Sequence, residues 1–146
     1  MTFLLKKLLS KPTNAPSVHP TPQLSPYQII GSERGTRNLA NRFYDIMQSD
    51  PKAAELLAIH PHSMPQLHEK FFEYLSGYLG GPGLYEKKYG HPRLRARHLP
   101  FEVSELLKQQ WMYCMDKALD VEIDNPLLRA QLRQSFNQLA THMINC

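Results

Sequence analysis

From Pro26 onward, apolar residues recur every three or four positions, the period of helices that turn one face inward. Ser25 before Pro26 reads as the N-cap and first residue of a short helix that Gly31 closes. Ser32 opens a longer helix in which Leu39, Phe43 and Ile46 share a face, with Ala40, Tyr44 and Met47 beside them; Ser49-Asp50-Pro51 stops it. Pro51 to Ile59 reads as a short helical connector ended by His60-Pro61. Another helix starts near Pro65, and Leu67, Phe71, Tyr74 and Tyr78, flanked by Phe72, Leu75 and Leu79, give it an apolar stripe wide enough to face something large. Gly80-Gly81-Pro82-Gly83 breaks the chain. After a loop, Pro92 to Leu99 holds barely two helical turns, because Pro100 disfavours helix at Leu99.

Two long helices follow. One runs from about Phe101 to Val121 and buries Leu107, Trp111, Cys114, Met115 and Ala118; Asn125-Pro126 starts the other, with Leu128, Leu132, Phe136, Leu139 and Met143 on its inner face. No stretch of comparable length alternates as a strand would, and no internal repeat is present. The expected class is all-α, with residues 26–146 as one domain.

Residues 1–25 stand apart: Pro12, Pro16, Pro20 and Pro22 with interspersed Ser, Thr and Asn cannot build a core and read as a flexible extension. Met1 to Lys11 could turn leucines to one side and lysines to the other, enough for weak contact with an anionic membrane, although a solubilising tail is the simpler reading. The net charge of +4 belongs mostly to this tail, since Lys6, Lys7 and Lys11 precede the first acidic residue, Glu33. What remains is close to neutral, which argues against a broad nucleic-acid surface. Phe3 to Leu5 is too short for the apolar core of an export signal, and no run reaches the roughly 20 apolar residues of a membrane span. Cys114 and Cys146 fit neither a disulfide framework nor a thiol redox motif, so a reduced, cytoplasmic protein is expected.

The chemistry concentrates in Gly90-His91-Pro92-Arg93-Leu94-Arg95-Ala96-Arg97-His98-Leu99-Pro100-Phe101. A histidine at the end of a very short helix, fenced by Pro92 and Pro100, has a fixed direction, as a metal-ligating imidazole needs. Arg93, Arg95 and Arg97 surround it with forks suited to carboxylates. A ligand carrying both a metal and carboxylates would satisfy the whole set.

These features resemble the group II truncated haemoglobins, short globins with a two-over-two helical sandwich. The resemblance spans about residues 26–144 and rests on Arg42-Phe43-Tyr44-Asp45, Tyr78-Leu79-Gly80-Gly81-Pro82, the Gly90–Phe101 block and Trp111 in that order. It implies haem b as cofactor, His98 as the proximal iron ligand, and Tyr44 and Trp111 as donors to a bound gas on the opposite side. His60 falls at the inter-helical corner, where the family usually carries another aromatic, and is a third candidate donor. Leu67 and Phe71 match positions over the haem. Leucine cannot donate, so stabilisation of a ligand falls to Tyr44, Trp111 and His60, while His68 is expected to point away. Phe43 and Arg95 belong to the implied haem contacts, and Lys70, Tyr85 and Arg97 are implied on the propionate side. Tyr44 or His60 could also occupy the sixth iron position when no gas is bound.

The expected function is binding of dioxygen and other diatomic gases, with nitric oxide dioxygenation or peroxidase-like turnover as candidate activities that need an external electron donor. Two other readings compete. A helical module could grip phosphate or RNA through the Arg93–His98 cluster, although the near-neutral remainder opposes it. His60, His62, His91 and His98 could hold a bare metal ion, although no Cys or carboxylate stands at a familiar spacing.

Overall fold

The computed structural model describes residues 22–60 and 64–146; the tail up to residue 21, with its expected flexibility and membrane contact, and His62 lie outside the described residues. The described chain is helical without strands: α1 (Pro26–Ile29), α2 (Ser32–Ser49), a 3₁₀ turn (Pro51–Ala53) running into α3 (Ala54–Ala58), α4 (Met64–Tyr78), α5 (Leu84–Tyr89), α6 (Leu94–His98), α7 (Glu105–Glu122) and α8 (Pro126–Met143). None of these helices is long and apolar enough to cross a membrane.

Polar caps set most of the boundaries. Ser25 accepts from the Gln28 amide at 3.3 Å while the Gln28 side chain accepts from the Ser25 amide at 3.0 Å, a reciprocal capping box in front of Pro26. The Asn125 side chain accepts from the Leu128 amide at 3.0 Å ahead of Pro126. Gly31 takes φ +105°, the left-handed conformation that lets α1 turn sharply into α2.

Two boundaries differ from the sequence expectation. Leu84–Tyr89, expected to be loop, forms α5, held to α4 by an ion pair between Lys88 Nζ and the buried Glu73 at 3.2 Å. The helix expected from Phe101 begins only at Glu105, where the Ser104 hydroxyl accepts from the Leu107 amide at 3.3 Å. The stretch before it is tied to the far end of the chain: Asn145 Nδ2 donates to the carbonyls of Phe101 at 2.9 Å and His98 at 3.2 Å, Val103 N–H donates to Asn145 Oδ1 at 2.9 Å, and Asn145 N–H donates to the Val103 carbonyl at 3.0 Å.

Packing is two-over-two. α2 lies against α4 and α7, α7 against α8, and the short α5 and α6 close onto α4 and α8 respectively. Leu39, Phe43, Met47, Leu75, Leu79, Met115, Leu119 and Phe136 are fully buried where these elements meet. Each such side chain contributes roughly 1.5–3 kcal/mol by leaving water. Arg133 on α8 pairs with Asp116 at 2.9 Å and Asp120 at 3.0 Å on α7. Cys114 and Cys146 are free thiols, and burial pushes the Cys114 thiol up to about 11, which keeps it inert.

The α1–α2 corner leaves no room for a side chain at Gly35, where an added Cβ would stand 1.8 Å from the Ile30 carbonyl oxygen. Because that oxygen is backbone, Gly35→Ala must shift α1 against α2, and we expect a loss of about 2–3 kcal/mol. Chemical denaturation of parent and variant measures it; an unchanged midpoint would mean that the corner yields freely.

Candidate functional site

A cavity of about 380 Å³ opens between α2, α4, α6, α7 and α8, within the range of small-ligand sites. Its walls are mostly apolar: Phe43, Leu56, Ile59, Leu67, Phe71, Leu94, Phe101, Val103, Leu107, Leu139, Ala140 and Met143. The polar groups that remain fall in three places.

On one wall stands His98, the last residue of α6. Its Nδ1 lies 2.6 Å from the Leu94 carbonyl oxygen, one turn back. A carbonyl can only accept, so Nδ1 carries a proton, and in the neutral ring Nε2 keeps its lone pair. That is the tautomer of an imidazole prepared to ligate metal, with the ring direction fixed by its other nitrogen. The fence is tertiary as well as local. Besides the prolines, the His98 carbonyl accepts from the Phe101 amide at 2.9 Å and from Asn145.

Tyr44 on α2 and Trp111 on α7 line the same cavity. Tyr44 is 7% exposed, packs edge-to-face on Phe43 with centroids 5.2 Å apart, and stacks on His68 at 4.8 Å. Trp111 leans on Phe43 at 5.1 Å. Neither the Tyr44 hydroxyl nor the Trp111 indole N–H has a hydrogen-bond partner among the described residues, and both side chains line the cavity. Burial pushes the Tyr44 phenol far above its ordinary pKa, so it keeps its proton and remains a donor at neutral pH.

His60 lines the same cavity, and its geometry bears on the expected donor role. Its Nδ1 lies 2.7 Å from the Leu56 carbonyl, so in the neutral ring Nδ1 donates there and Nε2 is a lone-pair acceptor. His60 is therefore not a third neutral donor beside Tyr44 and Trp111. Its anchor is itself held, because the Leu56 amide donates to the buried Gln110 side chain at 2.9 Å. His68 points away, as expected, lining a separate pocket with Gln48, Met64 and Pro65, its Nδ1 bonded to Asn41 Oδ1 at 2.9 Å.

The third polar place is the α4–α5–α6 side. Lys70 and Arg97 line the cavity, and neither has a carboxylate within ion-pair distance among the described residues. The Lys70 ammonium lies 4.9 Å from the Tyr89 ring centre and the Arg97 guanidinium 5.6 Å from that of Tyr85, which also lines the cavity.

Arg95 does not join them. It donates to the His142 carbonyl at 2.6 Å and so caps the end of α8, outside the cavity. Arg93 starts α6 in a left-handed conformation at φ +44°. The three arginines thus serve different ends instead of forming one anion-gripping surface. Among the described residues, no group of three or more His, Cys, Asp or Glu side chains is arranged to hold a bare metal ion.

Several lining residues were not singled out from sequence. Tyr74, Lys108 and the α8 residues Leu139, Ala140 and Met143 reach the cavity, and Asn145 supports it from behind. Leu139 and Met143 carried a signal, their inward period, which reads equally well as core.

The residues present fit haem. An imidazole and two unpartnered donors line one mostly apolar cavity from different helices, and two unpaired cations beside α5 suit a flat metal macrocycle with a pair of carboxylates.

A family model described as bacterial-like globin matches residues 25–145. A group 2 truncated hemoglobin of Bacillus subtilis is 36% identical over 121 residues, which span 83% of this chain and 89% of that protein. Among solved structures, the cold-adapted truncated hemoglobin of the Antarctic bacterium Pseudoalteromonas haloplanktis TAC125 superposes with a TM-score of 0.83 at 55% identity, covering 84% of this chain and 99% of that one. A truncated oxygen-avid haemoglobin from Bacillus subtilis superposes with a TM-score of 0.76 at 36% identity, covering 84% and 100%.

Proposed function

The chain belongs to the bacterial-like globins, as a group II truncated haemoglobin, and from that premise we propose that it binds dioxygen tightly at haem b held by His98 and uses the gas to oxidise nitric oxide. The observation that carries this reading is a single cavity lined both by His98, whose Nδ1 is committed to the Leu94 carbonyl, and by two unpartnered donors, Tyr44 and Trp111. Bound haem supplies an iron centre that takes up a diatomic gas and shifts electron density onto it. The residues do the rest. His98 fixes the iron side. Tyr44 and Trp111 donate to the charge that builds on the gas, in a sheltered site where each such bond contributes roughly 1–3 kcal/mol. Lys70 and Arg97 hold the carboxylates, while Phe43, Leu67 and Phe71 exclude water from the gas side.

Two donors slow escape of the gas, which suits consumption better than delivery. The oxygen avidity of the Bacillus subtilis relative points the same way. Conversion of nitric oxide and dioxygen to nitrate requires one electron per turnover, so an external donor in a reducing cytoplasm completes the cycle.

Stopped-flow mixing of the oxygenated protein with nitric oxide tests the proposal. Rapid conversion to the ferric form with one nitrate per haem is expected; slow or absent oxidation overturns it and leaves a gas carrier or sensor.

A further inference from the structure

The aromatic side chains that gas binding does not use lead from the cavity to the surface. Of the seven tyrosines, Tyr89 is the exposed one, at 38%. Its ring packs against that of Tyr85 with centroids 4.8 Å apart. Tyr85 is buried, lines the cavity, and sits four residues earlier on α5, so the two phenols share one helix face. Tyr74, another lining residue, meets Tyr85 edge-to-face at 6.1 Å. A single aromatic step therefore separates the cavity wall from solvent.

We propose that the α5 pair Tyr85–Tyr89 is an electron relay, and that Tyr89 is a surface site where phenolic reductants are oxidised at the expense of hydrogen peroxide. The proposal rests on the haem reading above, since the cavity must hold the centre that reacts with peroxide. The balance is simple. Hydrogen peroxide takes up two electrons and two protons and becomes two waters. For each electron, Tyr89 loses one electron by way of Tyr85 and releases its hydroxyl proton to solvent, becoming a neutral phenoxyl. A phenol then returns a hydrogen atom to it. Two phenols become two phenoxyl radicals for each peroxide consumed.

The surroundings favour this route over others. The ammonium groups of Lys70 and Lys88 lie 4.9 Å and 5.4 Å from the Tyr89 ring centre. Cations that close oppose a positive charge on the ring, so electron loss has to be coupled to proton loss, which exposure permits. Tyr113 is away from the cavity with its hydroxyl bonded to Asp50, and Tyr78 is half-buried with its hydroxyl bonded to Ser135. Neither offers both ends of a path.

The test uses the haem-loaded full chain, treated with hydrogen peroxide in the absence of reductant. Phenoxyls on two molecules then couple, and a dityrosine-linked dimer mapping to Tyr89 by mass spectrometry is expected. Tyr89→Phe keeps the Soret band and loses the dimer. Tyr85→Phe retains the exposed phenol but lowers the yield of the Tyr89 link. A dimer that persists in Tyr89→Phe, maps to another tyrosine, or is undiminished in Tyr85→Phe overturns the relay while leaving haem binding intact. A parent chain that takes up no hemin overturns both readings together.

Discussion

His98→Ala, purified with haem supplied, is expected to lose the parent's Soret band. The folded chain should survive, because His98 is only half-buried and the main packing lies elsewhere. What disappears is the Nε2 lone pair, and with it most of the difference in haem affinity between folded and unfolded states. A ligand at a hundred times its Kd stabilises by about 2.7 kcal/mol through linkage. For a domain of this size that is roughly 10 °C in melting temperature. Added hemin should therefore raise the Tm of the parent and leave that of His98→Ala nearly unmoved, as scanning calorimetry would record. An equal rise in both would place iron ligation somewhere other than His98.

Elsewhere in the cavity, Tyr44→Phe and Trp111→Phe are each expected to accelerate dioxygen release by roughly 5- to 150-fold, the kinetic equivalent of one sheltered hydrogen bond of about 1–3 kcal/mol. Their effects should not add, because both rings lean on Phe43 and approach Phe71. His60→Phe provides the contrast. With its Nδ1 proton committed to Leu56, the neutral ring has no second proton to give, so its loss should change the release rate less than either donor variant. Dioxygen dissociation measured by ligand displacement separates the three. A Tyr44→Phe rate equal to the parent's would remove the phenol from ligand stabilisation.

Much of this architecture is written locally. The Ser25–Gln28 box, Asn125 before Pro126, and the inward period of α2, α4 and α8 depend on residues within a turn or two of one another, and sequence reading recovers them. α5 escapes that reading because six residues between Gly83 and Gly90, two of them lysines, show too little periodicity to distinguish helix from loop. The late start of α7 escapes because Ser104 competes with Pro100 as a boundary and the deciding partner, Asn145, lies more than forty residues away. The site divides the same way. That His98, Tyr44 and Trp111 come together in one cavity is legible because each is an unusual residue for its place. The proton on His60 is not, since a carbonyl at Leu56 settles it. Arg95 misleads for a related reason: a basic residue close to the candidate ligand His98 suggests a ligand contact, whereas Arg95 donates to the open end of α8.

The four-bond clasp made by Asn145 also sets an order of events. The wall behind His98 cannot be completed until residue 145 has left the ribosome and α8 has docked. Completion of that wall is therefore a late step in the life of the polypeptide, and a chain stalled before residue 145 would emerge with the segment after α6 unlatched.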